Sequence, residues 1–196
     1  MLGRMLVSTA GSFLLIGLTA CGGDDSDTST DDRTGSPSPS VEVAQLELVS
    51  SAFADGAEIP VKYSCDGEDA PFPLAWSGAT GETLSYVLVF DDPDAPGDEP
   101  FLHWLMYDIP ANMSGFESVS RDGRLPNGAA QGENSRGETG YAGPCPPEGQ
   151  THTYVMTVYA LDAALGLEPG ASRDDVEAAM EGHVVGAGEL RGLFGR

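Results

Sequence analysis

Residues 83–109 read TLSYVLVFDDPDAPGDEPFLHWLMYDI. The first eight are β-branched, aromatic and leucine-rich, the composition of a central strand. Residues 101–109 read as a second strand, with His103 at its third position. Between them stand three prolines, one glycine and five acids. Asp-Pro pairs start turns, and proline fixes their backbone. The stretch is therefore a strand, a rigid acid-bearing turn and a strand that carries an imidazole. On an extended segment Asp92 and Asp94, two residues apart, point the same way. Such a segment suits a surface loop or the floor of a binding pocket.

The flanking sequence extends the β pattern. Residues 43–50 (VAQLELVS), 58–65 (EIPVKYSC), 74–78 (LAWSG) and 152–161 (HTYVMTVYAL) each read as strands. Residues 184–196 read as a last strand or a docked extension. One helix is expected within residues 170–184: Ser172 is its N-cap, Asp174 and Asp175 occupy the first turn, and Gly182 is the stop. Its apolar stripe is Val176, Ala179 and Met180. The Gly-, Asn- and Pro-rich connection over 110–150 is longer than a compact domain ordinarily needs, which points to a functional or mobile segment. The class is mainly β with one or two helices on the side.

The ends and the charge bound the biology. Residues 1–20 combine one early arginine with an apolar stretch and run into the sequence LTAC at 18–21, the pattern of a lipoprotein signal with Cys21 as the acylated residue. Residues 21–42 hold five aspartates and a Ser-Pro run with no large apolar residue until Val41, and read as a disordered tether. The folded domain is then 43–196, exported and lipid-anchored on the outer side of the cytoplasmic membrane or in the periplasm. The remaining cysteines, Cys65 and Cys145, form a disulfide or stay as two buried thiols, and spacing alone does not decide. With 31 acids against 9 bases the net charge is −22, which argues against a nucleic-acid partner.

Asp92, His103, His152 and Tyr154 concentrate the reactive side-chain types. His152 and Tyr154 share a strand face by their spacing. The set admits a metal site, acid/base catalysis, or an anion pocket built from imidazole, phenol and loop N–H donors. It also admits ordinary core histidines beside Asp-Pro turns. The metal reading lacks a local ligand motif, and the catalytic reading lacks a G-x-S-x-G elbow.

Three longer stretches carry a family resemblance: DDPDAP at 91–96, FLHWLMYDIPA at 101–111 and GYAGPCPPEGQTHTYVMTVYALD at 140–162. With YSCDGEDAPFPLAWSG at 63–78 and the C-terminal helix and tail, they resemble the phosphatidylethanolamine-binding protein family in its bacterial Raf-kinase-inhibitor-like branch. The resemblance implies a large central antiparallel sheet flanked by a smaller sheet and one or two helices. It implies a pocket for phosphate-type anions and phospholipid headgroups, formed by Asp92, Asp94, Pro96, His103, Gly143, His152 and Tyr154. In it His103 and His152 donate to the anion, Asp92 fixes their tautomer and charge, and Pro96 shapes the wall behind a cis peptide bond. It also favours the Cys65–Cys145 disulfide. Asn127 and Asn134 both qualify as a further approach to the pocket, and the tail lacks the tyrosine expected near its end.

The expected function is that of a non-enzymatic binding protein without metal or cofactor. Its ligand is a small anionic or zwitterionic molecule: phosphate, a phosphoethanolamine-like headgroup or a carboxylate. The alternatives are a protease inhibitor acting by protein–protein contact and a weak hydrolase using Asp92 and His152. If both histidines are charged donors, with an unperturbed pKa near ~6.5, anion affinity rises as pH falls from about 8 to about 5.5.

Overall fold

The structure, a computed structural model, describes residues 43–119, 125 and 127–196. The expected signal, the lipidation at Cys21 and the tether lie outside the described residues. Among the described residues ten strands run in chain order: β1 (Ala44–Gln45), β2 (Glu47–Val49), β3 (Ala57–Glu58), β4 (Leu74–Ser77), β5 (Ser85–Asp92), β6 (Phe101–Pro110), β7 (Gly115–Phe116), β8 (Ala130–Gln131), β9 (Thr151–Leu161) and β10 (Val184–Gly195). The helix α1 spans Arg173–Met180, between β9 and β10.

The large sheet has the order β1-β10-β9-β5-β6-β8, with β3 also on β10, and the small sheet is β2-β4-β7. The long strands β10, β9, β5 and β6 are antiparallel neighbours. The central strands are antiparallel as expected, and two short edge strands make the sheet mixed. β1 and β3 pair in parallel with β10, at Gly186–Ala187 and Gly192–Leu193. Residues 44–58 run beside β10 in its own direction, and β2 leaves that path to pair with β4. The run 43–50 is thus two short strands in two sheets. Residues 58–65 differ more. Only Glu58 is strand, and Val61–Tyr63 is a 3-10 turn after Pro60, whose ring removes the N–H a ladder needs.

Two cores sandwich the large sheet. Between the sheets lie Leu48, Leu74, Trp76, Phe90, Trp104, Met106, Tyr154 and Met156. On the other face Val87, Leu105, Tyr107 and Leu161 pack against Val176 and Met180 of α1. The helix starts as its sequence predicts. Ser172 accepts from the Asp175 backbone N–H and completes a capping box, and Val176 and Met180, one turn apart, form the buried face. It ends at Met180, and Gly182 follows at a φ of 79° that glycine adopts freely. β9 alternates inward and outward along its length, with His152, Tyr154, Met156, Val158 and Ala160 inward.

Candidate functional site

Three strand ends meet at one corner of the large sheet. Asp92 at the end of β5 pairs with Phe101 at the start of β6, and Asp91 pairs with Val155 near the start of β9. A cavity of about 500 Å³ opens there. Asp92, His103 and His152 line its inner part. Ala95, Pro96 and Phe101 form one apolar wall, and Cys145, Pro146 and Pro147 form the other.

His103 owes its orientation to a bulge. Phe90 pairs with Trp104 and Asp91 with Leu102, so His103 is an extra residue in β6. Leu102, Leu105 and Tyr107 belong to the helix-side core, Trp104 and Met106 to the core between the sheets. The bulge puts His103 on the Trp104 side. There its ring lies 5.4 Å from Phe90 and 5.3 Å from Tyr154. Its Nδ1–H donates to the Ala142 carbonyl at 2.7 Å, and the Ala142 N–H donates back to the His103 carbonyl at 2.8 Å. Burial drives the His103 pKa down to about 4. The Ala142 carbonyl and the Asp92 charge oppose the fall, and the Arg136 charge adds to it. His103 is therefore neutral between pH 5.5 and 8, and its free Nε2 is an acceptor. A charged His103 donor in that range would have to overcome the cost of desolvating imidazolium.

His152 is held by Asp92. Its Nδ1–H donates to Asp92 Oδ2 at 2.7 Å, and Nε2 lies 3.3 Å from Gln150 Oε1. The other Asp92 oxygen accepts from the Asp94 N–H at 2.9 Å. That bond turns the chain, so Asp94 does not continue an extended segment. Its carboxylate accepts from the Thr153 N–H at 2.7 Å and pins the turn to β9 on an exposed surface, apart from the lining residues. The Ala95–Pro96 bond is trans, as is every peptide bond among the described residues, which corrects the cis expectation. Proline at 96 shapes the wall with its ring alone.

Tyr154 lies under the histidines, its ring 6.4 Å from that of His152. The side chain is fully buried, and its hydroxyl makes no hydrogen bond of good geometry, although Asp92 and the Cys145 N–H lie near enough to act on it. Burial, then the Asp92 charge, pushes the phenol well above its ordinary pKa, so Oη keeps its proton. An orphaned buried hydroxyl is costly; Trp76 Nε1 and Thr83 Oγ1, outside this corner, are orphaned in the same way.

Gly143 acts through its backbone. Its N–H donates to Asp69 Oδ1 at 2.6 Å, and a Cβ there would sit 2.6 Å from that oxygen and from the Tyr63 carbonyl. The Cys65–Cys145 disulfide ties the same loop to residues 61–69, with Cα atoms 5.5 Å apart. Of the two asparagines, Asn127 caps a turn at Ala129 beside Met113. Asn134 is buried and organises the 134–140 turn next to the cavity. Among the described residues no three His, Cys, Asp or Glu side chains converge to hold a metal ion.

The family model for phosphatidylethanolamine-binding protein matches residues 49–195. The chain belongs to that family. A UPF0098 protein of Methanothermobacter thermautotrophicus is 49% identical over 152 residues, 77% of this chain and 99% of its own. The Mycobacterium tuberculosis protein named "Putative lipoprotein LppC" is 40% identical over 202 residues, covering 97% of this chain and 96% of its own. The crystal structure of Escherichia coli YbcL, described as a member of the mammalian PEBP family, superposes with a TM-score of 0.71 at 27% identity, over 77% of this chain and 98% of its own.

Within this PEBP corner, sequence reasoning missed Phe101 and Arg136. Phe101, two residues before His103, stacks obliquely on that ring at 4.8 Å. Arg136 carried little signal of its own, being one of three arginines in the connection over 110–150.

Proposed function

We propose that this PEBP protein is a non-enzymatic, lipid-anchored binding protein of the cell envelope, whose pocket takes phosphate-type anions or phospholipid headgroups. The observation that carries the reading is the cavity lined by Asp92, His103 and His152, against whose imidazoles packs Tyr154, a buried side chain outside the lining whose hydroxyl makes no hydrogen bond of good geometry. A ligand oxygen that accepts from Tyr154 Oη removes the penalty of that orphan donor. The neutral Nε2 of His103 accepts from a ligand hydroxyl or ammonium. Asp92 orients His152 and fastens the turn that forms one wall. The lipid anchor is supported by the LTAC sequence at 18–21 and by likeness along 97% of the chain to a protein named as a lipoprotein.

A thermal-shift titration with phosphate, phosphoethanolamine and acetate tests the reading, with His152→Ala run beside it. A ligand bound to the native state raises stability by RT ln(1 + [L]/Kd), about 2.7 kcal/mol at 100-fold Kd. The expected result is a saturable shift with the phosphate compounds that the variant loses, with no turnover of phosphate esters. No shift with any of the three sinks the pocket as the function. Turnover that His152→Ala abolishes replaces it with a hydrolase.

A further inference from the structure

Arg136 has a setting that no other described cation shares. Lys62, Arg173, Arg191 and Arg196 each have a carboxylate oxygen within 4.0 Å: Glu68, Asp91 with Glu177, Glu189 and Asp66 in turn. Among the described residues Arg136 alone of the Arg and Lys side chains has none, in a chain with 31 acids. Its one hydrogen bond, from Nη2 to the Gly143 carbonyl, is long at 3.5 Å. It lines the mouth of the Asp92–His103–His152 cavity.

The backbone beneath it is tightly fastened. Ser135 and Leu102 exchange two hydrogen bonds, from Leu102 N–H to Ser135 Oγ at 2.8 Å and from Ser135 N–H to the Leu102 carbonyl at 2.9 Å. This places residue 136 beside the start of β6. The Asn134 side chain, 4% exposed, accepts from the Arg136 N–H at 2.9 Å and donates to the Gly140 carbonyl at 2.9 Å. An ordered turn therefore presents an unneutralised guanidinium to the pocket.

The charge balance of the cavity gives that guanidinium a role. Asp92, hydrogen-bonded to His152, stands on the cavity floor, and the buried His103 ring is costly to charge even though its Nδ1–H donates to Ala142. Without Arg136 the lining holds no permanent cation inside a strongly acidic protein, which repels anions. A guanidinium offers a permanent charge and a planar pair of donors that matches phosphate or carboxylate oxygens.

We propose that Arg136 is the specificity-determining residue of the pocket: it selects ligands with an ionised acid group, phosphate esters foremost, against amines and neutral headgroups. The inference rests on the pocket proposed above. The ligand's acid group lies between Arg136 and Tyr154 Oη, with its hydroxyl or ammonium donor toward His103 Nε2 and Asp92.

The test measures dissociation constants of the full chain for inorganic phosphate, phosphoethanolamine and ethanolamine by calorimetry, with Arg136→Ala, Arg136→Lys, Arg136→Glu and His152→Ala. Arg136→Ala is expected to weaken phosphate at least tenfold and to leave the unliganded melting temperature unchanged, because the exposed side chain makes a single long bond. Arg136→Lys should recover part of the loss. Arg136→Glu should abolish phosphate binding and raise ethanolamine affinity, a reversal of sign preference that a structural role cannot produce. Phosphate binding that His152→Ala removes and Arg136→Ala leaves intact overturns the role of Arg136 while the pocket stands. Phosphate that binds no form of the protein overturns both.

Discussion

Replacing Tyr154 with phenylalanine should move stability and binding in opposite directions. The ring is a core element, fully buried and 5.8 Å from Phe90 and 5.3 Å from His103. Phenylalanine keeps those contacts. What it removes is a buried hydroxyl that makes no hydrogen bond of good geometry. Leaving such a group unsatisfied costs about 1–3 kcal/mol, part of which the folded protein regains when the hydroxyl goes. The unliganded variant should therefore be as stable as the parent or more stable by about 1 kcal/mol, a rise of roughly 2–4 °C in melting temperature for a domain of this size. In the complex the same hydroxyl donates to a charged oxygen, a bond of about 1.5–3 kcal/mol, so phosphate affinity should fall at least about tenfold. Urea denaturation without ligand gives the first quantity and calorimetry with phosphate the second. A variant destabilised by 1 kcal/mol or more with unchanged affinity would refute the reasoning, since it would show that the hydroxyl serves the fold.

Acid should destabilise the protein through His103. Its native pKa of about 4 lies below the unfolded value of ~6.5, so the unfolded state binds more protons between them. That contribution is intact above about pH 6.5 and is lost as pH falls through about 4, by roughly 3 kcal/mol in all. Denaturation curves of the parent and of His103→Gln should diverge by that amount between pH 7 and 4, and parallel curves would contradict a neutral buried imidazole. Gly143→Ala should cost about 1–3 kcal/mol, because its Cβ meets two oxygens at 2.6 Å, and should weaken ligand through the displaced loop; a stability measurement within 0.5 kcal/mol of the parent would show that the loop yields. Reducing Cys65–Cys145, which closes a loop of 80 residues, should lower stability by about 4 kcal/mol on the chain-entropy account, read as a fall in urea midpoint that a Cys65→Ala, Cys145→Ala variant reproduces without reductant.

What the sequence determined alone is local. Alternation along residues 152–160 sets His152 and Tyr154 on one face, because side chains on a strand repeat every two residues. Ser172 and Asp175 define the start of α1, because a capping box is closed within four residues. The motifs at 91–96, 101–111 and 140–162 carried the family and thereby the mainly β architecture. Tertiary structure decided where these pieces converge. The bulge that turns His103 inward is a mismatch of register between β5 and β6, invisible in either strand alone. The direction of Asp94 was set by a side-chain bond from Asp92 and a backbone donor on β9, which broke the extended geometry that spacing assumed. β1 and β3 became parallel partners of β10 across more than 130 residues of chain. Arg136 reached the pocket only because Ser135 pairs with Leu102 and Asn134 closes the turn beneath it. Periodicity and capping are written in neighbours a few residues apart. Register, loop docking and the charge of a cavity depend on contacts between distant segments, and those contacts build this site.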